Sequence, residues 1–300
     1  MNKECDGGAH HLGPRRPGPR VRPPRRHRRP APDGGRPVII DTHLHTWDTH
    51  AFAISWLDAA GLPARSPIPD EDGPRGYVLV EADADDRHHE TAWLLDLARA
   101  DTRVLGVVAS AALEEDGAPG EIDRLADREG VVGVRRLLQD RGLFDRPGLA
   151  RGLRHLAERG LPFDACVRAR ELPALTALVA GLDGATVVLD HMGKPPVHDP
   201  AALRRWARDL GELAALPHVH CKLSGLPAEA GDATTLDAVT DEVVGHALTV
   251  FGAERCVVGG DRPVSRTRRD WCRRVLDLVP EDDRARVAHR NASALYRRRP

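Results

Sequence analysis

Cysteine pairs, phosphate-binding glycine loops and long apolar runs are all missing from this chain of 300 residues. Its five cysteines, Cys5, Cys166, Cys221, Cys256 and Cys272, are scattered and form no C-x-x-C pair. That excludes a zinc knuckle and fits reduced thiols in a cytoplasmic protein. Neither G-x-G-x-x-G nor G-x-x-x-x-G-K-S/T occurs, so an open doubly wound sheet built around a nucleotide phosphate lacks its signature. No apolar stretch approaches the roughly 20 residues that cross a bilayer. Paired arginines stand near the start, but Val38-Ile39-Ile40 is too short an apolar run to complete a secretory signal.

The net charge of −1 is unevenly spread. Residues 1–36 hold ten Lys/Arg against Glu4, Asp6 and Asp33, and the remainder holds 34 basic against 42 acidic side chains. The Arg/Pro/Gly-rich start cannot bury a core and is expected to be a disordered tail, read as a non-functional extension. The mildly acidic body argues against nucleic acid as a partner. A small-molecule substrate is expected, with no membrane partner, and homo-oligomerisation is left open.

From residue 37 onward, strand and helix signals alternate. Short Val/Ile-rich runs at 38–41, 77–81, 104–109, 131–134, 162–167, 185–190, 218–223 and 256–259 read as strands. Amphipathic segments at 91–100, 150–159, 199–215 and 237–251 fall between them, and 271–278 and 282–296 close the chain. Eight strands with mostly helical connections imply a closed (β/α)8 barrel over residues 37–300 as a single domain. Residues 49–75 contain four Pro and two Gly and no sustained helical stripe. They are expected to form a loop with at most a short helix, at the barrel mouth.

Catalytic groups of such a barrel sit at the carboxyl ends of its strands. The first strand ends in Asp41-Thr42-His43-Leu44-His45. Alternate strand residues share a face, so both imidazoles can reach one centre, a divalent metal or a substrate carbonyl. A second pair, His218 and His220, opens its strand instead of ending it and is expected to lie away from the site. The other ends supply Glu81, Arg135, His191, Lys222 and Asp261, with Asp164 and Cys166 on the fifth strand. Asp261 is read as a metal ligand, a general base or a helix N-cap. Arg135 suits a substrate carboxylate or carbonyl, and Arg136 should face away from it. Glu81 and Lys222 are read either as substrate contacts or as an internal ion pair.

Taken together, IIDTHLHTWD (39–48), GVRRLLQD (133–140), VVLDHMGKPPV (187–197), HCKLSGL (220–226) and FGAERCVVGGDRPV (251–264) resemble the amidohydrolase superfamily. The branch is the amidohydrolase-related one of sugar-lactone and pyrone-dicarboxylate lactonases. The resemblance spans most of residues 38–296. It implies a (β/α)8 barrel, hydrolysis of a cyclic ester, and roles for His43, His45, His191 and Asp261 as metal ligands or substrate contacts. Two stretches depart from the pattern. The usual G-S-D-W-P at strand eight reads Gly259-Gly260-Asp261-Arg262-Pro263, and the usual G-W-V-D-L after strand three is replaced by VASAAL.

The chain has only three lysines, Lys3, Lys194 and Lys222, and none is near the end of strand four. A carboxylated lysine bridging two metals, as in binuclear members of the superfamily, is therefore not expected. One divalent metal, zinc or manganese, and metal-free catalysis are the two expectations that remain. The expected reaction is lactone hydrolysis. Asp261 takes a proton from water, His43, His45 and His191 polarise the carbonyl directly or through one ion, and Arg135, Lys222 and Glu81 bind substrate. A metal-dependent non-oxidative decarboxylase and a catalytically silent ligand-binding barrel are the rival readings.

Overall fold

A computed structural model describes residues 39–70, 75–182, 184–266 and 270–297. The tail expected over residues 1–36 lies outside them. Eight parallel strands follow one another around a single sheet in chain order. They are β1 Ile39–Leu44, β2 Arg75–Val80, β3 Val104–Ser110, β4 Val131–Leu137, β5 Phe163–Cys166, β6 Val187–Leu189, β7 Val219–Leu223 and β8 Cys256–Val258. The order is that of a (β/α)8 barrel, as the alternation of signals predicts. All eight coincide with the apolar runs, because a parallel strand covered on both faces must be apolar along its length.

The connecting helices follow local rules. α1 Arg87–Ala100 starts where the Asp86 side chain accepts from the backbone N–H groups of His88 and His89, and it buries Leu94, Leu95 and Ala98. α2 Ala118–Ala126, α3 Pro147–Glu158 and α4 Leu172–Val179 each carry proline in the first turn, where its missing N–H is no loss. α5 Pro200–Ala214 is capped by Asp199. A short α6 Leu226–Ala230 precedes α7 Ala233–Phe251, which is capped by Asp232. The closing segment expected as one helix over 282–296 is helical throughout, running as Glu281–Ala285, a wider turn Arg286–Arg290, and Asn291–Leu295. Asn291 explains the anchoring there, since its Nδ2 donates at 2.7 Å to both Ala253 O and Cys256 O under β8.

No helix occupies the β1–β2 connection among the described residues. Instead Trp47–Asp48 pairs antiparallel with Arg65–Ser66, and Trp47, Phe52, Ile54, Leu57 and Ala82 form a small core of their own at the mouth.

The seam between β1 and β8 is closed by the residues that precede the first histidine. The Thr42 hydroxyl donates to Val258 O at 2.7 Å, and the Asp41 carboxylate accepts from Gly260 N at 2.7 Å. The backbone bonds Asp261 N to His43 O (2.7 Å) and His45 N to Arg262 O (2.9 Å) complete it. An apolar cluster of Ile40, Val78, Val80, Val108, Val188 and Val257 packs with Tyr296 of the closing segment. Cys166, Cys221, Cys256 and Cys272 are buried free thiols. Among the described residues, no helix is long and apolar enough to cross a membrane.

Candidate active site

The register of β4 to β7 puts charges into the barrel. Arg135 stands opposite Asp164, and Lys222 follows Cys221, which pairs with Leu189 just before Asp190. All four side chains are buried. The Lys222 Nζ lies 2.6 Å from Asp164 and 3.0 Å from Asp190. Arg135 donates through Nε to Asp190 (2.9 Å) and through Nη1 to Glu81 (2.8 Å). Below this layer the Tyr296 hydroxyl donates to Asp164 at about 3.0 Å. Burial raises the Asp164 carboxyl to about 6 against the opposing pull of Lys222. Asp190 behaves otherwise. Burial would raise it too, but Lys222, His43 and Arg135 hold it well below the usual carboxylate range.

Above the charged layer stand three imidazoles and one acid. The Asp261 Oδ1 lies 3.7 Å from His43 Nε2, 3.5 Å from His45 Nε2 and 3.8 Å from His191 Nε2. Every one of these side chains is nearly inaccessible to solvent. Each ring has its other nitrogen engaged. His45 Nδ1 meets Val80 O at 3.0 Å, His191 Nδ1 meets Ser224 Oγ at 2.9 Å, and His43 Nδ1 lies 3.3 Å from Asp190 and 3.1 Å from Lys222. Such partners fix ring orientation and turn all three Nε2 atoms toward Asp261, with those of His43 and His45 3.2 Å apart. Burial lowers His43 well below its ordinary value despite Asp190, and it lowers His191 to about 4 despite Asp261 and Asp190. Both rings are therefore neutral at neutral pH, the form that binds a metal. For Asp261, burial works upward, but its attraction to His191, the hydrogen bond from His45 and the attraction to His43 hold the carboxyl well below its usual range.

These residues fit a divalent cation. The donor atoms of His43, His191 and Asp261 all lie within 4.8 Å of one another. The charged layer points the same way: Arg135 and Lys222 face Glu81, Asp164, Asp190 and Asp261, a formal excess of two negative charges at this centre.

His191 reaches the centre from a strained turn. His191, Met192, Gly193 and Lys194 have φ of 55°, 52°, 70° and 53°, four successive left-handed residues where L-residues normally occur singly. The turn is held by Trp206 Nε1, which donates to Met192 O at 2.7 Å, and by Gly225, against which the His191 ring lies. A Cβ on Gly225 would stand 2.5 Å from that ring.

A cavity of about 480 Å³ opens over this cluster, lined in part by His45, Trp56, Arg135, His191, Lys194, Glu229 and Asp261. Of the residues singled out in the sequence, His43, His45, His191 and Asp261 meet at one point, and Arg135 reaches the same cavity. Glu81 and Lys222 lie behind the imidazoles in separate ion pairs, with Arg135 and with Asp164 and Asp190. They do not pair with each other. Among the described residues Asp261 caps no helix; its Oδ2 accepts from Ser265 Oγ at 2.7 Å, and the next described helix is Trp271–Leu276. Arg136 faces outward to Glu114. His218 bonds Val179 O on the far side. Sequence reading assigned no role to Asp190, Asp164 or Ser224. The one available signal was a carboxylate closing or interrupting an otherwise apolar strand.

The amidohydrolase family profile matches residues 40–298. An L-fucono-1,5-lactonase of Burkholderia multivorans is 36% identical over 279 residues, 86% of this chain and 92% of that protein. One of Burkholderia ambifaria is 34% identical, over 86% and 95%. A solved Burkholderia multivorans amidohydrolase structure with bound zinc superposes with a TM-score of 0.75 at 31% identity, covering 87% of this chain and all of that one. With the fold, the acid–imidazole cluster and these likenesses in agreement, the chain belongs to the amidohydrolase family of hydrolases.

Proposed function

We propose that the protein hydrolyses a lactone, adding one water to a cyclic ester to give a hydroxy acid. The observation that carries this is the convergence of three imidazole Nε2 atoms on one buried, ionised carboxylate at the base of a cavity. The similarity to two L-fucono-1,5-lactonases supports it.

His43, His45, His191 and Asp261 are the residues that would hold one divalent ion, zinc or manganese, which when bound supplies Lewis acidity toward the carbonyl oxygen. Asp261 is ionised across the neutral range, and Ser265 engages its Oδ2. Oδ1 is thus left to accept a proton from the attacking water as the new C–O bond forms. The same carboxyl returns that proton to the ring oxygen as the ester C–O bond breaks. Arg135 has Nε and Nη1 committed to Asp190 and Glu81, and its Nη2 is the nitrogen that meets substrate. Glu81 holds Arg135, and Lys222 holds Asp190 behind His43.

The test is a pH-indicator assay of aldono-1,5-lactones with metal analysis of the same preparation. Asp261→Asn should retain the fold and lose roughly two to four orders of magnitude in kcat/KM. Near-wild-type turnover by that variant would refute the assignment. Carbon dioxide release from an aromatic acid, with no lactone opened, would select the decarboxylase reading instead.

A further inference from the structure

Most charged groups around the cavity are already committed. Arg135 is tied to Asp190 and Glu81, Arg141 to Asp83, and Asp140 to Arg168 and Arg170. Lys194 and Glu229 differ. Both line the cavity and both are half-buried. Among the described residues, neither side chain makes a hydrogen bond or ion pair, with the other or with any other group. Lys194 ends the left-handed turn that carries His191, and its backbone N–H is fixed on His191 O at 2.8 Å. Glu229 sits on α6, whose Leu226 and Ala230 are buried beneath it. A half-buried charge without a hydrogen-bonded partner loses solvation that longer-range attraction only partly restores, so such a pair is poised for a ligand. Burial raises the Glu229 carboxyl, and the attraction of Lys194 and Arg168 only partly offsets this. The indole N–H of Trp56 is already donated to Ala82 O at 2.8 Å. What Trp56 has left for the cavity is its apolar ring.

Resting on the lactonase reading above, we propose that Lys194 and Glu229 are the specificity-determining pair of this cavity. They read the hydroxyl groups of a neutral, hydroxylated lactone, with Lys194 donating to one and Glu229 accepting from another. Trp56 covers the apolar side of the ring. The charge balance disfavours a dicarboxylate lactone. Lys194 is the single lining cation without a protein partner among the described residues, and Glu229 opposes it.

The experiment compares three substrates on the full-length chain: a hydroxylated aldono-1,5-lactone, unsubstituted δ-valerolactone and 2-pyrone-4,6-dicarboxylate. The wild type should prefer the hydroxylated lactone over both others. In Glu229→Gln and Lys194→Met, the ratio of kcat/KM for the hydroxylated lactone to that for δ-valerolactone should fall by about tenfold or more, mainly through KM. That is the size of a lost hydrogen bond to a charged group. A parallel fall on both neutral lactones would show a merely structural role and overturn the proposal. So would better turnover of the dicarboxylate than of the hydroxylated lactone. A wild type that opens none of the three refutes the lactonase reading, and the specificity pair falls with it. One that opens δ-valerolactone as readily as the hydroxylated lactone refutes the pair alone.

Discussion

Replacing Asp190 by Asn isolates the charged layer from the centre above it. The wild-type carboxylate faces Lys222 at 3.0 Å, Arg135 at 2.9 Å and His43 at 3.3 Å, all out of solvent. Removing one partner of a buried ion pair typically destabilises by about 3–5 kcal/mol, because the remaining charge is left uncompensated. Here Lys222 keeps Asp164 at 2.6 Å and Arg135 keeps Glu81 at 2.8 Å. The loss should therefore sit at the low end, about 3 kcal/mol. For a domain of this size, that lowers Tm by roughly 6–12 °C. His43 also loses the acceptor that fixes its tautomer, and zinc affinity should fall by about 10–100-fold. The wild-type carboxyl is held well below its usual range. Its contribution is thus present above the unfolded carboxylate pKa and is lost only as pH falls through the folded value. The deficit of the variant should persist from about pH 8 to about pH 5. Calorimetry across that range and a chelator-competition titration with zinc make the measurement. A Tm within about 2 °C of wild type, together with unchanged zinc affinity, would refute the reasoning.

Gly225→Ala puts a Cβ at φ +73° and 2.5 Å from the His191 ring. It should cost about 2–4 kcal/mol in denaturant unfolding and more than tenfold in turnover, while Gly211→Ala, whose nearest neighbour would be 4.0 Å away, should be neutral or stabilising. Equal behaviour of the two variants would sink the steric argument. Burial, with Glu81 adding like charge, raises Glu90 to about 8. The folded state therefore holds that proton more tightly, and the associated stability is lost as pH rises from about 4.5 through about 8. Wild-type stability relative to Glu90→Gln should drop by about 2–4 kcal/mol between pH 5 and pH 9, and a pH-independent difference would contradict it. Tyr296→Phe removes the hydroxyl donor to Asp164 and should lower stability in urea by about 1.5–3 kcal/mol; a change under about 0.5 kcal/mol would show that the bond contributes little.

The barrel was legible because its signal is collective: eight Val/Ile-rich runs with amphipathic segments between them leave few other ways to bury the apolar surface. His43, His45, His191 and Asp261 were legible for a related reason. Once the strands are ordered in a ring, their carboxyl ends point at one place. Partner choice behind them was not legible. Glu81 pairs with Arg135 and Lys222 with Asp164 and Asp190. That depends on register and on which side chains share a layer, and one register step reverses every partner. Asp190 stood in plain view beside His191, yet its part comes only from lying between Lys222, Arg135 and His43. The left-handed turn at 191–194 was also invisible, since His, Met and Lys carry no preference for that conformation. Tertiary contacts from Trp206 and Gly225 hold it.

The unusual end of β8 acts at the seam and rim. At the place of the pattern's serine before the acid, a Cβ at Gly260 would meet Asp41 Oδ2 at 2.5 Å, and one at Gly259 would meet His43 Cβ at 2.7 Å. The Asp41 carboxylate is folded onto the end of β8, accepting from Gly260 N and His43 N. A side chain there would force it out and open the seam. Burial raises Asp41 to about 6, against the pull of the hydrogen bonds from Gly260 N and His43 N. Closure of β8 on β1 is what brings Asp261 within 3.5–3.8 Å of three imidazoles. The loss of the aromatic falls at Arg262, on the rim. The aromatic wall of the cavity comes instead from Trp56 in the β1–β2 connection. Gly260 thus belongs to the seam that sets the acid–imidazole geometry, and the departure reaches the site through that closure.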